Sequence, residues 1–426
     1  MIVHVVERGD SVWKIAQRYG VSPERIVTDN SLAGQEYLVV GQALLILIPN
    51  EIHTVKPGDT LTAVARQYGV SVLNLLQNNP SLIQAPILRP GQQLTISFTD
   101  QKLGSLSING YAYPNIKRDV LLGTLPYLTY LTIFGYGFTS DGTLVVPEDE
   151  PLIKLAREFR VSPVMLLSSI TGEGGFSGEL ASELFRNERL QNSVIRQVIN
   201  TMRQKGYDGL DIDFEYVNQD DAEYFLAFLR NTIEKLHAAD YWVNVDLAPK
   251  TSSAQSGLLY ESHNYPEIGA IADTVLLMTY EWGYTYGPPM AVAPVDKVRS
   301  VVEYAVSEIP AGKIMMGIPN YGYDWPLPYY RGETRATSIG NEYAVSLAAQ
   351  QNAEIQFDPA AQSPYYNYWD GSGAEHVVWF EDIRSIRAKY ALIDEFGLRG
   401  GGYWNVMRPF QQNWAYLAAR FHIRKV

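Results

Sequence analysis

The fold of this chain is decided by residues Tyr207–Tyr216, which read YDGLDIDFEY. Side chains of a β-strand alternate between its two faces, so a strand here carries Asp211, Asp213 and Glu215 on one face and apolar residues on the other. Neighbouring carboxylates repel one another, and buried ones cannot all be ionised, so at least one pKa must rise. Because a carboxyl group with a raised pKa can act as a general acid near neutral pH, the stretch predicts a buried acid–base site.

Two other interpretations of this stretch are a solvated acidic edge and a metal site. The alternating apolar residues favour a buried strand over a solvated edge. No His or Cys stands nearby, and a Ca²⁺ loop of the EF-hand type would need glycine where Ile212 and Phe214 stand. We therefore expect no metal in this site.

The composition bounds the size of the protein and the nature of its partners. With 426 residues, 46% of them hydrophobic, the chain is long enough for two or three domains. A net charge of −12 disfavours nucleic acid and anionic membranes as partners. Cysteine is absent, which excludes disulfides and thiolate metal sites. No apolar run approaches the roughly 18 residues that span a bilayer. We expect no signal peptide, because Met1–Val5 has neither a basic nor an apolar leader region.

Strand-like and helix-like runs alternate on both sides of the acidic stretch. Strands are predicted at Ser107–Ala112, Tyr130–Gly135, Val164–Ser169, Gly209–Phe214, Trp242–Leu247, Val275–Tyr280, Ile314–Ile318 and Gly402–Asn405. Helical patterns separate them, and this α/β alternation over residues 104–426 predicts a (β/α)₈ TIM barrel. The alternative is a doubly wound open sheet. No Gly-x-Gly-x-x-Gly fingerprint follows a strand, which disfavours dinucleotide binding.

One interval near the C-terminus is too long and too mixed to be a simple loop. It covers about residues 323–382 and is predicted to be a small α+β insertion in the barrel. Its aromatic side chains are Tyr329, Tyr330, Tyr365, Tyr366, Tyr368 and Trp369. They either wall a sugar-binding groove or form an ordinary small core, and the sequence favours neither interpretation.

The N-terminal part of the chain contains an internal repeat. HVVERGDSV at residues 4–12 returns as HTVKPGDTL at residues 53–61, and each copy is predicted to fold as β-α-α-β. The two copies predict small modules at residues 1–49 and 50–99. The first helix of each copy carries one apolar stripe, at i, i+3, i+4 and i+7. We expect Asp10 and Asp59 to be the N-caps of these helices, with Gly20 and Gly69 at their C-terminal ends.

Both modules resemble the LysM family. The resemblance lies in the Gly-Asp-Ser/Thr turn and in the Gly-Gln pairs at residues 41–42 and 91–92. It implies binding of N-acetylglucosamine polymers, peptidoglycan or chitin, through the loops after the first strand and before the last. The candidate glycan-binding residues are Asp10, Ser11, Asn30, Asp59, Thr60 and Asn79. The alternative is that the modules only space or cap the barrel, but two weak modules in tandem suit a polymeric ligand because avidity multiplies.

The acidic stretch resembles the signature of glycoside hydrolase family 18, Asp-x-x-Asp-x-Asp-x-Glu. The matching residues are Asp208, Asp211, Asp213 and Glu215. Further matches stand at other predicted strands, as LLS at 166–168, MTY at 278–280, GIPNYG at 317–322 and GYW at 402–404. Two positions depart from the chitinase pattern, since Glu281 replaces an Asp and Thr171–Glu173 replaces a double Gly. The acidic residues of the signature are all present, but the two departures distinguish the chain from true chitinases. Its substrate can therefore differ.

This resemblance implies a retaining, substrate-assisted mechanism. Glu215 would protonate the glycosidic oxygen and later act as base for water, while the substrate's acetamido oxygen attacks the anomeric carbon. Asp213 would hold the acetamido N–H, and Asp211 would share its proton. Tyr280 would hydrogen-bond the acetamido oxygen, and Trp404 would form the floor. The implied substrate contacts are Trp404, Tyr111, Tyr321, Glu281 and Met278. By residue type alone, Tyr280 and Trp404 are more often core or rim aromatics, and Met278 a packing residue.

Two LysM-like modules ahead of a family 18-like barrel resemble bacterial enzymes that lyse fragments of the spore cortex. We therefore expect a monomeric hydrolase of N-acetylglucosaminyl linkages, needing no cofactor, with peptidoglycan preferred over chitin. Its expected location is the spore coat or cortex, or the cell wall surface. The alternatives are a plain chitinase and a non-catalytic glycan-binding lectin, although such lectins usually lack the acid that Glu215 provides.

Overall fold

The computed structural model describes residues 1–35, 37–170, 175–257 and 260–426, and it begins with two small α/β modules. The first contains β1 (Ile2–Val5), α1 (Val12–Tyr19), α2 (Pro23–Asp29) and β2 (Ala43–Ile46). The second contains β3 (Pro49–Thr54), α3 (Leu61–Tyr68), α4 (Val72–Asn78), α5 (Ser81–Gln84) and β4 (Gln93–Phe98). The outer strands of each module pair antiparallel.

The first helix of each module begins at a hydroxyl cap. Ser11 and Thr60 each accept a hydrogen bond from the backbone N–H three residues further on. The prediction of Asp10 and Asp59 as N-caps is therefore wrong. Each carboxylate turns back and hydrogen-bonds with the histidine on the first strand of its module, at 2.9 and 2.8 Å. The helices end at the predicted glycines, which have φ values of 66° and 67°.

The remaining elements alternate between strand and helix. As far as β12 they are β5 (Gly104–Ala112), α6 (Arg118–Thr124), β6 (Tyr130–Phe138), β7 (Leu144–Val145), α7 (Glu150–Glu158), β8 (Ser162–Ser168), α8 (Gly178–Arg186), α9 (Glu188–Lys205), β9 (Gly209–Asp213), α10 (Ala222–His237), β10 (Trp242–Leu247), α11 (Tyr265–Ile271), β11 (Thr274–Leu277), α12 (Val295–Glu308) and β12 (Ile314–Pro319). An insertion follows with β13 (Gly322–Pro326), β14 (Thr337–Ile339), α13 (Asn341–Gln350), β15 (Gln356–Asp358), β16 (Ser363–Trp369) and β17 (Glu375–Trp379). The chain ends with α14 (Ile383–Glu395), β18 (Gly400–Trp404), α15 (Gln411–Arg420) and β19 (Phe421–Ile423). Single 3₁₀ turns lie at Leu125–Tyr127, Gln219–Asp221 and Ala311–Lys313.

Eight parallel strands close the barrel. Their order is β5, β6, β8, β9, β10, β11, β12 and β18, and β18 pairs in parallel with β5 to complete the ring. The strands β7 and β19 extend the sheet outside the ring. The predicted (β/α)₈ TIM barrel is thereby confirmed. Each predicted run falls on a barrel strand, although β8, β9 and β18 end one residue before the predicted end and β11 ends three residues before it, at Leu277.

The strand that carries the acidic stretch is fixed from behind by apolar packing. Leu210 and Ile212 on β9, and Phe214 just after it, are buried against the surrounding helices. The ring of Phe214 packs on Phe185 of α8 at 5.2 Å and on Phe228 of α10 at 5.8 Å between centroids. Each such side chain contributes about 1.5–3 kcal/mol by burial. Because a slip of one residue would reverse both faces, this packing holds the acidic face inside the barrel.

The insertion between β12 and α14 forms a sheet of order β14-β13-β17-β16-β15 with α13 packed on it. Some of its aromatic side chains form a small core, and others are exposed. Tyr366 and Tyr368 belong to its buried core, whereas Tyr330 and Trp369 are 59% and 65% exposed. The insertion therefore has a core of its own and also presents aromatic surface.

Both modules pack on the barrel. The side-chain amide of Gln412 on α15 donates to Oδ1 of Asn30 at 2.8 Å, which joins the barrel to the first module. The amide of Gln77 on α4 donates to the carbonyl of Pro126 at 2.8 Å, which joins the barrel to the second. One face of β2 also belongs to the apolar core of the barrel. These contacts fix the orientation of the modules relative to the barrel.

Candidate active site

The acidic side chains of the stretch lie inside the barrel and at its mouth. Asp211 and Asp213 are buried, while Glu215 follows the end of β9 and is half-buried. The C-terminal ends of barrel strands form the face where active sites lie, so Glu215 stands at the opening with the aspartates below it. Asp208 lies at the opposite end of β9 and accepts a hydrogen bond from Arg157 at 2.8 Å. Its place in the signature is therefore structural.

A chain of hydrogen bonds across the barrel interior holds Asp211. The side-chain amide of Asn244 donates to Asp211 Oδ1 at 2.7 Å and to Asp246 Oδ1 at 2.9 Å. The hydroxyl of Tyr111 donates to the same oxygen of Asp246 at 2.8 Å. Burial raises the pKa of Asp211, and the hydrogen bond from Asn244 opposes that rise. The network therefore joins β5, β9 and β10 in one buried polar layer.

Asp246 belongs to this layer and was not among the residues predicted from the sequence. It lies on β10 two residues after Asn244, so two polar residues alternate in an otherwise apolar strand. That is the same signal that the acidic stretch carries, and it was available in the sequence. Tyr111 was predicted as a substrate contact, but it is 1% exposed and its hydroxyl is bound to Asp246. Its hydroxyl orients a carboxyl group of the buried layer, and its contact with substrate stays a prediction.

Burial and the neighbouring like charges favour the protonated forms of the buried carboxyl groups. Burial raises the pKa of Asp213 well above its ordinary value, and the charges of Glu215 and Asp211 add to the rise. Burial also raises the pKa of Asp246, with Asp211 and Asp213 as further causes. Groups coupled in this way share protons and do not titrate separately. Oδ1 of Asp213 is buried and has no hydrogen-bond partner among the described residues, so it can accept an N–H from a ligand.

Glu281 lies close enough to Glu215 to help keep it protonated. Burial is the main cause of the raised pKa of Glu215, and the charge of Glu281 is the second. Glu281 itself accepts hydrogen bonds from the hydroxyls of Tyr321 and of Tyr323, the latter at 3.1 Å. Part of Glu281 is open to solvent, yet the surrounding protein desolvates its carboxylate and raises its pKa. The predicted substrate contacts Glu281 and Tyr321 thus form one hydrogen-bonded group beside the acid.

The charges of the same carboxyl groups act on the hydroxyl of Tyr280. Burial, followed by the charges of Asp246 and Asp213, raises its pKa well above the ordinary value, so it keeps its proton and can donate a hydrogen bond. Gly317 leaves room for the ring, because a Cβ there would lie 2.7 Å from Tyr280 Cε1. Met278 is half-buried and packs against the apolar cluster that contains Tyr111 and Phe134. Its surroundings are those of a packing residue.

Trp404 lies half-buried at the end of β18, and its ring is held edge-on by other aromatic side chains. The centroid distances are 5.4 Å to Phe134, 5.9 Å to Tyr111 and 6.0 Å to Tyr113. Phe134 and Tyr113 were not singled out from the sequence, since their strand ends carry no motif. A ring fixed in this way can present one face to the apolar face of a sugar.

Exposed aromatic side chains also stand on the loops that surround the opening. They are Phe176 after β8, Tyr216 after β9, and Tyr284 and Tyr286 after β11. The pKa of Tyr216 is raised by desolvation and then by Glu215 and Glu281, which places it beside the acid. These rings supply further stacking surface at the mouth of the barrel.

A metal-binding cluster and a membrane-spanning helix are both absent from the described ranges. Within residues 1–35, 37–170, 175–257 and 260–426, no group of three or more His, Asp or Glu residues is arranged to hold a metal ion. In the same ranges, no helix has the length and apolar character that crossing a bilayer requires. The departure from the chitinase pattern at Thr171–Glu173 lies outside the described residues.

The candidate glycan-binding residues of the modules make hydrogen bonds within the modules. The side-chain amide of Asn79 donates to the carbonyls of Leu75 and Thr95 at 2.8 and 2.9 Å, and its Oδ1 accepts from the N–H of Thr95 at 2.8 Å. Asn30 makes the equivalent bonds in the first module, and both residues are buried. The aspartates are bound to histidines and the hydroxyls are helix caps, as described above. All six residues therefore make contacts within their modules, and their binding of glycan stays a prediction.

Replacing Asn79 with alanine is expected to destabilise the second module by about 2–4 kcal/mol, because two carbonyls and one N–H lose their buried partner. The measurement is the midpoint of thermal unfolding of the full chain. The matched control is Asn50→Ala, since Asn50 is exposed and makes a single long hydrogen bond of 3.4 Å. An Asn79→Ala variant that unfolds like the wild type but no longer binds glycan would restore the ligand-binding interpretation.

Comparison with known proteins agrees with this geometry. The family model described as "Glycosyl hydrolases family 18" matches residues 108–408, and the model of the LysM domain matches residues 4–47 and 53–97. The cortical fragment-lytic enzyme of Bacillus anthracis is 40% identical over 99% of this chain and 98% of its own length. The crystal structure of the Bacillus cereus spore cortex-lytic enzyme SleL has a TM-score of 0.84 and 38% identity, over 100% of this chain and 99% of that one. A chitinase from Chromobacterium violaceum shares the fold with a TM-score of 0.68 and 24% identity, over 74% of this chain and 98% of its own. The chain therefore belongs to family 18 of the glycosyl hydrolases and carries two LysM domains ahead of its barrel.

Proposed function

We propose that this glycosyl hydrolase cleaves N-acetylglucosaminyl linkages in peptidoglycan, acting on fragments of the spore cortex. One observation carries the proposal. A carboxyl group with a raised pKa, Glu215, stands at the barrel mouth beside the buried Asp213, whose Oδ1 has no partner in the described part of the chain. An acid, an open acceptor and an aromatic platform are what the hydrolysis of a 2-acetamido sugar needs.

In the proposed mechanism Glu215 gives its proton to the glycosidic oxygen, and the bond from that oxygen to the anomeric carbon breaks. The carbonyl oxygen of the substrate's own 2-acetamido group attacks the anomeric carbon from the other face and forms an oxazolinium ion. Asp213 accepts the acetamido N–H through its open Oδ1 and stabilises the positive charge. Glu215, now ionised, removes a proton from water, which attacks the same carbon with net retention.

The buried layer below Asp213 has a role in this scheme. A proton shared among Asp211, Asp213 and Asp246 can move away from Asp213 when the cationic intermediate forms, because the positive charge then favours the ionised form. Tyr280 keeps its proton and donates to the acetamido oxygen, and Trp404 forms the floor under the sugar. Glu281 and Tyr321 stay in the proposal as residues that tune the acid.

The choice of peptidoglycan is supported by the named relatives and by the modules. The relatives that resemble this chain over its whole length are called cortical fragment-lytic or spore cortex-lytic enzymes. Two LysM domains fixed to the barrel suit a polymeric N-acetylglucosamine-containing ligand. We propose accordingly that the protein acts as a monomer on the spore or on the cell wall.

The proposal is tested by digesting purified cortex peptidoglycan and chitin oligomers in parallel and identifying the products by mass spectrometry. We expect fragments that end in reducing N-acetylglucosamine from peptidoglycan, with chitin cleaved slowly. Release from chitin alone would reject the peptidoglycan assignment in favour of a chitinase. Products that end in reducing muramic acid would reject the assigned bond specificity.

A further inference from the structure

The two modules have one edge in common, formed by the turn after the first strand and the turn before the last. We call these paired turns the turn edge, and they are residues 7–9 with 37–41 in the first module and residues 56–58 with 87–91 in the second. The N–H of Gly41 donates to the carbonyl of Val6 at 2.9 Å, and the N–H of Gly91 donates to the carbonyl of Val55 at 2.8 Å. The two turns of each edge are therefore direct neighbours.

The insertion lies across the turn edge of the first module. Glu354 and Ile355, in the loop between α13 and β15, reach both turns. Oε1 of Glu354 accepts a hydrogen bond from Arg8 Nη2 at 2.6 Å, in an exposed pair that contributes little. The N–H of Ile355 donates to the carbonyl of Val40 at 2.9 Å. A Cβ on Gly41 would lie 1.8 Å from the carbonyl oxygen of Ile355, so the two backbones touch and no sugar ring fits between them.

Further contacts with α13 hold the first module in this position. The hydroxyl of Ser31 donates to Oε1 of Glu342 at 2.6 Å. The hydroxyl of Tyr37, on the turn edge itself, donates to the carbonyl of Ala349. A glycan that displaced the insertion from this edge would have to break these bonds together, which would cost binding energy.

The turn edge of the second module is open. Gly91 is exposed, and a Cβ on it would meet no atom within 4 Å. Ile87, which corresponds to Tyr37 in the repeat, is 71% exposed. Among the residues that the structure describes, no hydrogen bond links residues 56–58 or 87–91 to the insertion or to the barrel. The second module is instead joined to the barrel through α4, which leaves its turn edge free for a ligand.

The exposed residues of the open edge suit a sugar. Pro57, Ile87 and Pro90 present small apolar surfaces, and the turns that carry them expose backbone groups. The apolar face of a sugar ring can pack on these side chains while its hydroxyl and acetamido groups hydrogen-bond to the backbone. An edge of this size binds weakly, so a useful affinity requires a second contact with the same polymer. The barrel cleft belongs to the same rigid chain and provides that contact.

We propose that the two modules have different partners. The first module binds the insertion of its own chain through its turn edge, and only the second module binds the N-acetylglucosamine-containing polymer. This inference rests on the proposed function for the nature of the polymer, and it adds which module holds that polymer. The two linked sites on one polymer chain are then the second module and the cleft.

Amide hydrogen exchange tests the difference between the modules. The protein is the full chain with Glu215→Gln, which leaves the ligand undigested, and the probe is the hexamer of N-acetylglucosamine at saturation. Exchange should slow by about tenfold in residues 87–93 and stay unchanged in residues 37–43, because a ligand protects the amides that it covers. Slower exchange in residues 37–43, or unchanged exchange in residues 87–93, would overturn the proposal.

Adsorption of the same protein to insoluble chitin is the second readout. Adding Ile87→Asp places a carboxylate on the open edge and should weaken adsorption by about tenfold, because a charge is costly to bury under a sugar. The matched control is Ile52→Asp, the same change at a 46% exposed position on β3, which should adsorb like the parent protein. Equal losses in both variants, or no loss in Ile87→Asp, would contradict the assignment. Neither measurement depends on the products of cortex digestion, so the proposed function and this inference can fail separately.

Discussion

Glu215→Gln is expected to lower kcat on cortex fragments by about 10³- to 10⁴-fold, because the amide keeps the shape of the side chain but has no proton to transfer. The pKa of Glu215 is raised by burial and by Glu281, which favours the acid form that the first step needs. The loss should fall on kcat, with KM close to that of the wild type, since a proton transferred only in the transition state contributes nothing to ground-state binding.

The same substitution at Glu223, an exposed residue of the first turn of α10, is the matched control and should leave kcat at the wild-type level. Binding of undigested glycan by the Glu215→Gln variant should match that of the wild type. Equal release of fragments by Glu215→Gln and wild type would mean that Glu215 is not the acid. A wild type that binds glycan and releases no fragment would favour a lectin.

The barrel and its acidic face could be predicted because their signal is local. A strand read as alternating carboxylates and apolar residues has only one way to bury the apolar side. Leu210 and Ile212 lie against the helices, and Asp211 and Asp213 lie inside the barrel, as that pattern predicts. The register of β9 follows from its own residues, so no knowledge of its neighbours was required.

Partners on distant strands could not be predicted in the same way. Tyr111 stands more than a hundred residues before Asp246, and only closure of the barrel brings its hydroxyl to that carboxyl. Asp246 itself carried a readable signal, but a single aspartate in a strand has no motif around it. Contacts of this kind depend on tertiary geometry, which periodicity and spacing do not encode.

In the modules, residues that the motif predicts to bind glycan also make structural contacts. Asn30 and Asn79 stand at corresponding positions of the repeat, which is compatible with a shared ligand and equally with a shared fold. In the structure each amide joins the end of the second helix to the last strand through the backbone, which accounts for the fold, and glycan binding by these residues stays a prediction. A repeat of under 50 residues has a small core and depends on such buried hydrogen bonds for its stability.

Asp213→Asn is expected to lower kcat/KM by about 10²- to 10³-fold, because the amide can neither carry the negative charge that stabilises an oxazolinium ion nor hold the acetamido N–H as firmly. We expect no loss in the stability of the folded protein. Burial and the neighbouring carboxyl groups make the ionised form of Asp213 costly, so a neutral side chain of the same shape should leave the unfolding temperature unchanged or raise it. Lower activity with equal or higher stability is the pattern that distinguishes a functional carboxylate from a structural one.

The control is Asp208→Asn, the same change at the other end of β9, where the carboxylate is bound to Arg157. It should lower the unfolding temperature slightly and leave kcat/KM near the wild-type value. A thiazoline analogue of the oxazolinium ion provides the second readout, because a mimic of the intermediate binds through the groups that stabilise it. Asp213→Asn should weaken its binding by about 10²-fold, in step with the loss in kcat/KM. If the variant lost activity but bound the thiazoline as tightly as the wild type, Asp213 would not stabilise the intermediate, and the substrate-assisted mechanism would need a different residue in that role.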